Sequence, residues 1–263
     1  MVDTPAAPFL WFAGFRNATG FRGSQLAVIY FIRHGQASFG QEEYDRLSSI
    51  GERQASVLGR HFQRVIPTVD LMCSGGMRRQ VQTAEFARES MGESPPPLRI
   101  HEAFAEYDHV ALFRAYLPAF LEQDDVQAES VEDLLKDHRL LERALRHVLG
   151  SWMESRPHEG PPVQSWSSFC ENVVNGLESL IDSLDPRARV AVFTSGGVIT
   201  AVLRGILGLS HLRTLGLTLS IYNASVTQVY CPGSGRIANA LLLGYNNITH
   251  LEMMGDRDLI TFR

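Results

Sequence analysis

Arg33-His34-Gly35 is the stretch of this sequence best equipped to do chemistry. A guanidinium offers a fork of donors to the oxygens of a phosphate, and an imidazole offers a nitrogen nucleophile. Gly35 lets the backbone approach an anion closely, and Gln36 and Ser38 add donors beside it. Two other turns have related compositions. Cys73-Ser74-Gly75-Gly76 is followed by Arg78 and Arg79, and Thr194-Ser195-Gly196-Gly197 opens an apolar run. Helix N-termini at such turns bring backbone N–H donors and positive dipole ends. Three of them around one point would make an anion site.

The elements that must position these residues read as an alternation of strands and helices. Val28 to Ile32 is an apolar, β-branched and aromatic run, as expected of a buried strand that ends at Arg33. Gly40 to Arg46 reads as a polar loop. A helix then starts near Ser48 or Ser49, with Glu52 placed to close a capping box on Ser49, and Pro67 ends it. Val69 to Cys73 predicts a second strand, Met77 to Ser90 a helix, and Leu98 to His101 a short strand. Residues from about 110 to 165 carry a helical pattern without strands, including the Ser130-Val131-Glu132-Asp133 capping signature and one apolar face running to Gly150. Gly160-Pro161-Pro162 breaks it. A helix over about 166–184, a strand Arg189 to Thr194 and a helix Val198 to Leu207 follow. Leu217 to Tyr222, Ser225 to Cys231 and Ile237 to Tyr245 read as antiparallel strands, the last two joined by a Pro232-Gly233-Ser234-Gly235 turn.

This order implies an α/β fold: a three-layer α/β/α sandwich with a mostly parallel central sheet and an antiparallel edge. Residues 1–25 read as an N-terminal extension, and 26–263 as one domain with a helical insertion at about 110–165. Lys and Arg total 24 against 29 Asp and Glu, a net charge of −5, so no basic field advertises nucleic acid. The three cysteines, Cys73, Cys170 and Cys231, lack CxxC spacing, which argues for reduced thiols in a cytoplasmic compartment and against a metal site. No run reaches the roughly 18 apolar residues of a membrane span. Pro8-Phe9-Leu10-Trp11-Phe12 has no basic residue before it, unlike a signal peptide. The expected partner is a small phosphorylated substrate or phosphopeptide, with no nucleic acid and no membrane, and the edge strands would support a homodimer.

Taken together, the motifs resemble the histidine phosphatase superfamily, in its branch of phosphoglycerate mutases and broad-specificity phosphatases. Arg33-His34-Gly35 matches the nucleophile motif. Leu47, Gly51, Gln54, Ala55, Leu58 and Gly59 match the helix that follows it, with Ser48 in place of the usual Thr. Arg79-Gln80-Val81-Gln82-Thr83-Ala84 matches R-x-x-Q-T-A, so Arg79 corresponds to the second phosphate-binding arginine. Ala105-Glu106-Tyr107-Asp108 is similar to the segment that carries the general acid, and Val192 to Ile199 to the V-x-x-H-G-G-x-I segment. Asn223-Ala224-Ser225-Val226-Thr227 and His250-Leu251-Glu252 are also similar to features of this branch. The match covers about residues 27–263.

The resemblance implies a phosphoglycerate mutase-like fold and a metal-free, cofactor-free, two-step phosphatase. His34 would attack phosphorus while Glu106 protonates the leaving oxygen, and Arg33 and Arg79 would hold the phosphoryl oxygens. Ser195 falls where the family has its second histidine, and a hydroxyl is a weaker donor than an imidazolium; Gly196 and Asn223 would add contacts. Glu102 competes with Glu106 for the acid role, and His109 or His250 would be substitutes for the missing histidine. The sequence leaves three rivals. Cys73 to Arg79 has the C-x5-R spacing of cysteine-dependent phosphatases, the loss of the second histidine suits a non-catalytic phospholigand-binding protein, and the family also contains mutases.

Overall fold

The structure is a computed structural model that describes residues 26–38, 45–66, 68–123, 125–126, 128, 130–155, 162–232 and 236–262. The expected N-terminal extension, most of the loop before the first helix, the Gly160-Pro161 break and the Gly233 to Gly235 turn lie outside these residues.

Six strands form one sheet: β1 (Leu26–Arg33), β2 (Leu71–Ser74), β3 (Leu98–Ile100), β4 (Arg189–Thr194), β5 (Val226–Pro232) and β6 (Leu241–Asn247). Their order is β3-β2-β4-β1-β5-β6. Pairing is parallel from β3 through β1 and antiparallel for β1–β5 and β5–β6. The helices are α1 (Ser49–Val65), α2 (Arg78–Glu89), α3 (His109–Leu121), α4 (Val131–Lys136), α5 (His138–Glu154), α6 (Trp166–Asp182), α7 (Gly196–Leu207), α8 (His211–Thr218) and the short α9 (Thr249–Glu252).

The central strands are apolar on both faces because helices cover both. Ile32, Met72, Ala191 and Phe193 pack with Leu58, Phe62 and Ala84 of α1 and α2. Ile29, Phe31, Val190 and Val192 point the opposite way, into a larger core with α3 and α5 to α8. Neighbouring residues of one strand thus feed different cores, as a period of two requires.

The α/β sandwich with a mixed sheet is as expected, while several local readings change. Leu217 to Tyr222 is not a strand: α8 occupies His211–Thr218. Ser210 caps it, and the hydroxyls of Thr214 and Thr218 each bond back to the carbonyl four residues earlier, contacts that only a helix offers. Ile237 to Asn239 forms a 3-10 turn, anchored by the Ile237 amide on Glu178, and β6 begins only at Leu241. The helical face from Val131 to Val148 is split at Asp137, whose carboxylate accepts from the Arg139 and Leu140 amides and so starts a new helix. That helix runs through Gly150 to Glu154, because Trp152 and Met153 are buried beyond it. Ser48, not Ser49, caps α1, accepting from the Gly51 amide.

Candidate active site

β2, β4 and β1 are neighbours, so the three small-residue turns at their carboxyl ends lie side by side. The His34 amide donates to the Thr194 carbonyl at 2.8 Å and the Gly75 amide to Phe193 at 3.0 Å, which stitches the turns together. Crevices beyond strand carboxyl ends are where open α/β sheets bind ligands. Close backbone approach draws α1 in as well. A Cβ on Gly35 would lie 2.6 Å from the Gly51 carbonyl oxygen, and one on Gly51 only 2.2 Å from that of Gln36.

His34 is buried, and Nδ1 lies 2.7 Å from the Gly35 carbonyl, which fixes the proton on that nitrogen. Nε2 is then the bare acceptor, and it receives Nε of Arg79 at 3.2 Å. Burial lowers the His34 pKa well below its ordinary value, and the charges of Arg79 and Arg33 lower it further. The ring is therefore neutral, with its Nε2 lone pair directed at Arg79. Arg79, from the first turn of α2, is itself buried and pairs with Asp45 at 2.5 Å. Arg33 directs Nη1 to the Ile221 carbonyl.

Glu106 follows the 3-10 turn Glu102–Phe104. The Gly197 amide at the start of α7 donates to Oε2 at 3.1 Å, and the Tyr107 amide to Oε1 at 3.3 Å. Desolvation nevertheless dominates and raises the Glu106 pKa against these bonds and the two arginines. Burial thus pushes both titratable groups toward their neutral forms: an imidazole with a lone pair and a carboxylic acid with a proton.

Arg33, His34, Arg79, Glu106, Gly196 and Gly197 line the polar end of one cavity of about 690 Å³. The adjacent wall comes from α3 and α5, with His109, Phe113 and Leu145 among its residues. Glu102 is exposed and lines a different pocket, so this cavity takes Glu106 and not Glu102.

Of the other sequence-selected residues, Ser195, Gln36, Ser38 and Asn223 do not line the cavity. Ser195 is 1% exposed, and its hydroxyl accepts Nε2 of Gln80 at 2.7 Å. The Gln36 side chain takes the Ser48 hydroxyl, and Ser38 donates to the Leu47 carbonyl. Nδ2 of Asn223 donates to the His34 carbonyl at 3.2 Å, and Thr261 ties Asn223 to Gln54. His250 packs against His61, away from the cavity, whereas His109 lines it. Cys73 is 1% exposed in the core, its thiol pushed up to about 11, which is the wrong direction for a thiolate nucleophile.

Three contributors had no role assigned in the sequence reading. Thr83 accepts the Gly35 amide at 3.0 Å, Gln80 holds Ser195, and Asp45 holds Arg79. Thr83 and Gln80 lie within the R-x-x-Q-T-A stretch; Asp45 has no local signal. Among the described residues no group of three or more His, Cys, Asp or Glu is gathered to hold a metal ion, and no helix is long and apolar enough to cross a membrane.

An α/β sandwich whose sheet edge gathers an imidazole, two guanidiniums and a carboxyl has the chemical groups that suit a phosphate-bearing ligand. The family model of the histidine phosphatase superfamily (branch 1) matches residues 29–115 and 125–241, and the chain belongs to that superfamily. Solved structures share the fold. A mycobacterial glucosyl-3-phosphoglycerate phosphatase is 21% identical, with a TM-score of 0.57, over 85% of this chain and 100% of that one. A phosphoglycerate mutase from Bacillus anthracis is 17% identical, with a TM-score of 0.59, over 89% and 98%. A phosphoserine phosphatase from Entamoeba histolytica is 16% identical, with a TM-score of 0.56, over 86% and 99%. No curated protein sequence matches the chain.

Proposed function

We propose that the protein is a phosphomonoester hydrolase that works through a phosphohistidine on His34. The observation that carries this reading is the state of the His34 ring: neutral, Nδ1 satisfied by Gly35, and the Nε2 lone pair held in the cavity that Glu106 also lines. Nε2 attacks phosphorus as the bond to the leaving oxygen breaks, and the proton of Glu106 passes to that oxygen. Water then attacks phosphorus, gives its proton to Glu106, and the P–N bond breaks with its electron pair returning to His34. Arg33, Arg79 and the amide end of α7 supply the positive field on the phosphoryl oxygens, so the scheme calls for no metal ion. Residues 1–25 are an extension in this reading, and 26–263 one catalytic domain into which the α3–α5 helices are inserted. Three buried free thiols accord with a cytoplasmic protein.

Ser195 favours a second reading, a phospholigand-binding protein without turnover. In the family resemblance it stands for a second histidine, and its hydroxyl is engaged by Gln80. Loss of one strong oxyanion donor typically lowers turnover by about 10² to 10³. The test is p-nitrophenyl phosphate hydrolysis in EDTA for wild type, His34→Ala and Ser195→His, with acid quenching to trap phosphohistidine. The hydrolase reading expects wild-type turnover, at least about 10³-fold loss in His34→Ala, and a gain in Ser195→His. Binding of phosphate with turnover only in Ser195→His establishes the second reading. Activity that survives His34→Ala removes His34 as nucleophile.

A further inference from the structure

We propose that the preferred substrate is a phosphomonoester whose alcohol is a single long apolar chain; this rests on the hydrolase reading for turnover but not for binding. The cavity changes character a short way from His34. Beyond the polar end most of its wall is aliphatic and aromatic, carried by Phe113 and Leu117 of α3 and by Leu141, Leu145 and Leu149 of α5, with Tyr107, His109, Arg114 and Thr218 as the polar side chains among them. Among the described residues its lining contains no Asn, Gln, Ser, Asp or Lys side chain. A leaving group rich in hydroxyls, such as a sugar or glycerate, would shed water there and find few partners, which is unfavourable. An apolar chain has the opposite balance.

Three large apolar side chains on the same cavity are exposed to solvent, Val110 at 46%, Leu135 at 41% and Phe262 at 45%. Exposed apolar side chains around a concave pocket with a charged end suit a ligand with a polar head and an apolar body. About 690 Å³ is more space than a phosphoryl group and a three-carbon acid need, and it falls within the range of pockets for drug-sized molecules.

The experiment measures kcat/KM for ethyl, butyl and octyl phosphate against 3-phosphoglycerate and glucose 6-phosphate, together with calorimetric Kd values for ethyl- and octylphosphonate. Each buried methylene is expected to raise kcat/KM, and tighten phosphonate binding, about fourfold until the cavity is filled. Leu135→Gln, at an exposed site that tolerates a polar residue, should reduce the octyl-to-ethyl ratio several-fold. Tighter octylphosphonate binding without turnover of any ester leaves the apolar subsite standing and removes the hydrolase reading. Turnover of p-nitrophenyl phosphate through His34 with a flat chain-length series, or with the two hydroxylated esters ahead of octyl phosphate, overturns the apolar substrate and leaves the hydrolase intact.

Discussion

His34 and Glu106 are tuned by the same agent in opposite chemical directions. Burial removes water from both, which lowers the His34 pKa well below its ordinary value and raises that of Glu106. The proposed first step needs a neutral imidazole and a protonated carboxyl together. Activity should therefore fall on the alkaline side as Glu106 ionises above its raised pKa, and on the acid side only when His34 protonates, well below pH 6.5. Glu106→Gln should remove the alkaline limb and lower kcat on an alkyl phosphate by about 10² to 10⁴. The loss should be far smaller with p-nitrophenyl phosphate, whose leaving group needs little protonation. Equal losses on the two esters would show that Glu106 does not donate that proton. Its assignment over Glu102 is a matter of position: both lie in one stretch of chain, and only one enters the cavity with His34.

At the scale of elements, α1 is held by two glycine contacts with different consequences. Gly51 packs its first turn onto the Gln36 backbone beside His34, while Gly59 sets the middle of α1 against the Ala87 carbonyl of α2, where a Cβ would lie at 2.0 Å. Alanine at either site collides with backbone, which cannot rotate away, and should cost about 1–3 kcal/mol. Both variants should lower Tm by several degrees. Only Gly51→Ala should also lower kcat, since it displaces the loop that carries His34, whereas Gly59→Ala acts away from the site. Equal kcat in the two folded variants would mean that the Gly35–Gly51 contact has no part in positioning the nucleophile. The same scale explains the split between α4 and α5. A cap at Asp137 turns the chain and leaves Leu135 at the rim of the cavity instead of in the core.

For the molecule as a whole, His250 sets an acid limit on stability. It is 3% exposed, its Nε2 has no hydrogen-bond partner among the described residues, and burial together with neighbouring His61 lowers its pKa to about 3. The unfolded chain takes up this proton near pH 6.5 and the folded chain does not until about pH 3. Stability from this group is thus complete above pH 6.5 and declines as pH falls toward 3, by about 1.4 kcal/mol per pH unit. His250→Phe should flatten the dependence of the urea midpoint on pH between 6.5 and 4 by that amount, with His34 contributing a remaining slope of the same sign. An unchanged slope would show that His250 is not buried in its neutral form.

Much of the fold was legible because its signals are local. The run into Arg33, the small-residue turns after β1, β2 and β4, and the Ser48 and Ser130 caps depend on residues within one or two turns of each other. Hydrophobic period and cap chemistry carry that information in the chain itself. Where the signal was ambiguous, distant packing decided. Leu215 to Leu219 alternates like a strand, yet the stretch ends a helix because Thr218 meets Thr200 of α7 and Leu215 faces the core. The residue types of the candidate site were likewise legible, but not their directions. Sequence brought Ser195 and Asn223 to the right turns; only the folded chain turned the Ser195 hydroxyl to Gln80, 115 residues away, and Asn223 to the back of His34. The apolar wall had only a coarse signal: the helical pattern over about 110–165 and the face shared by Leu141 and Leu145 mark an amphipathic insertion without showing which residues meet the site. A helical face shows that side chains leave water, whereas what they face is fixed by the elements that pack, or fail to pack, against them.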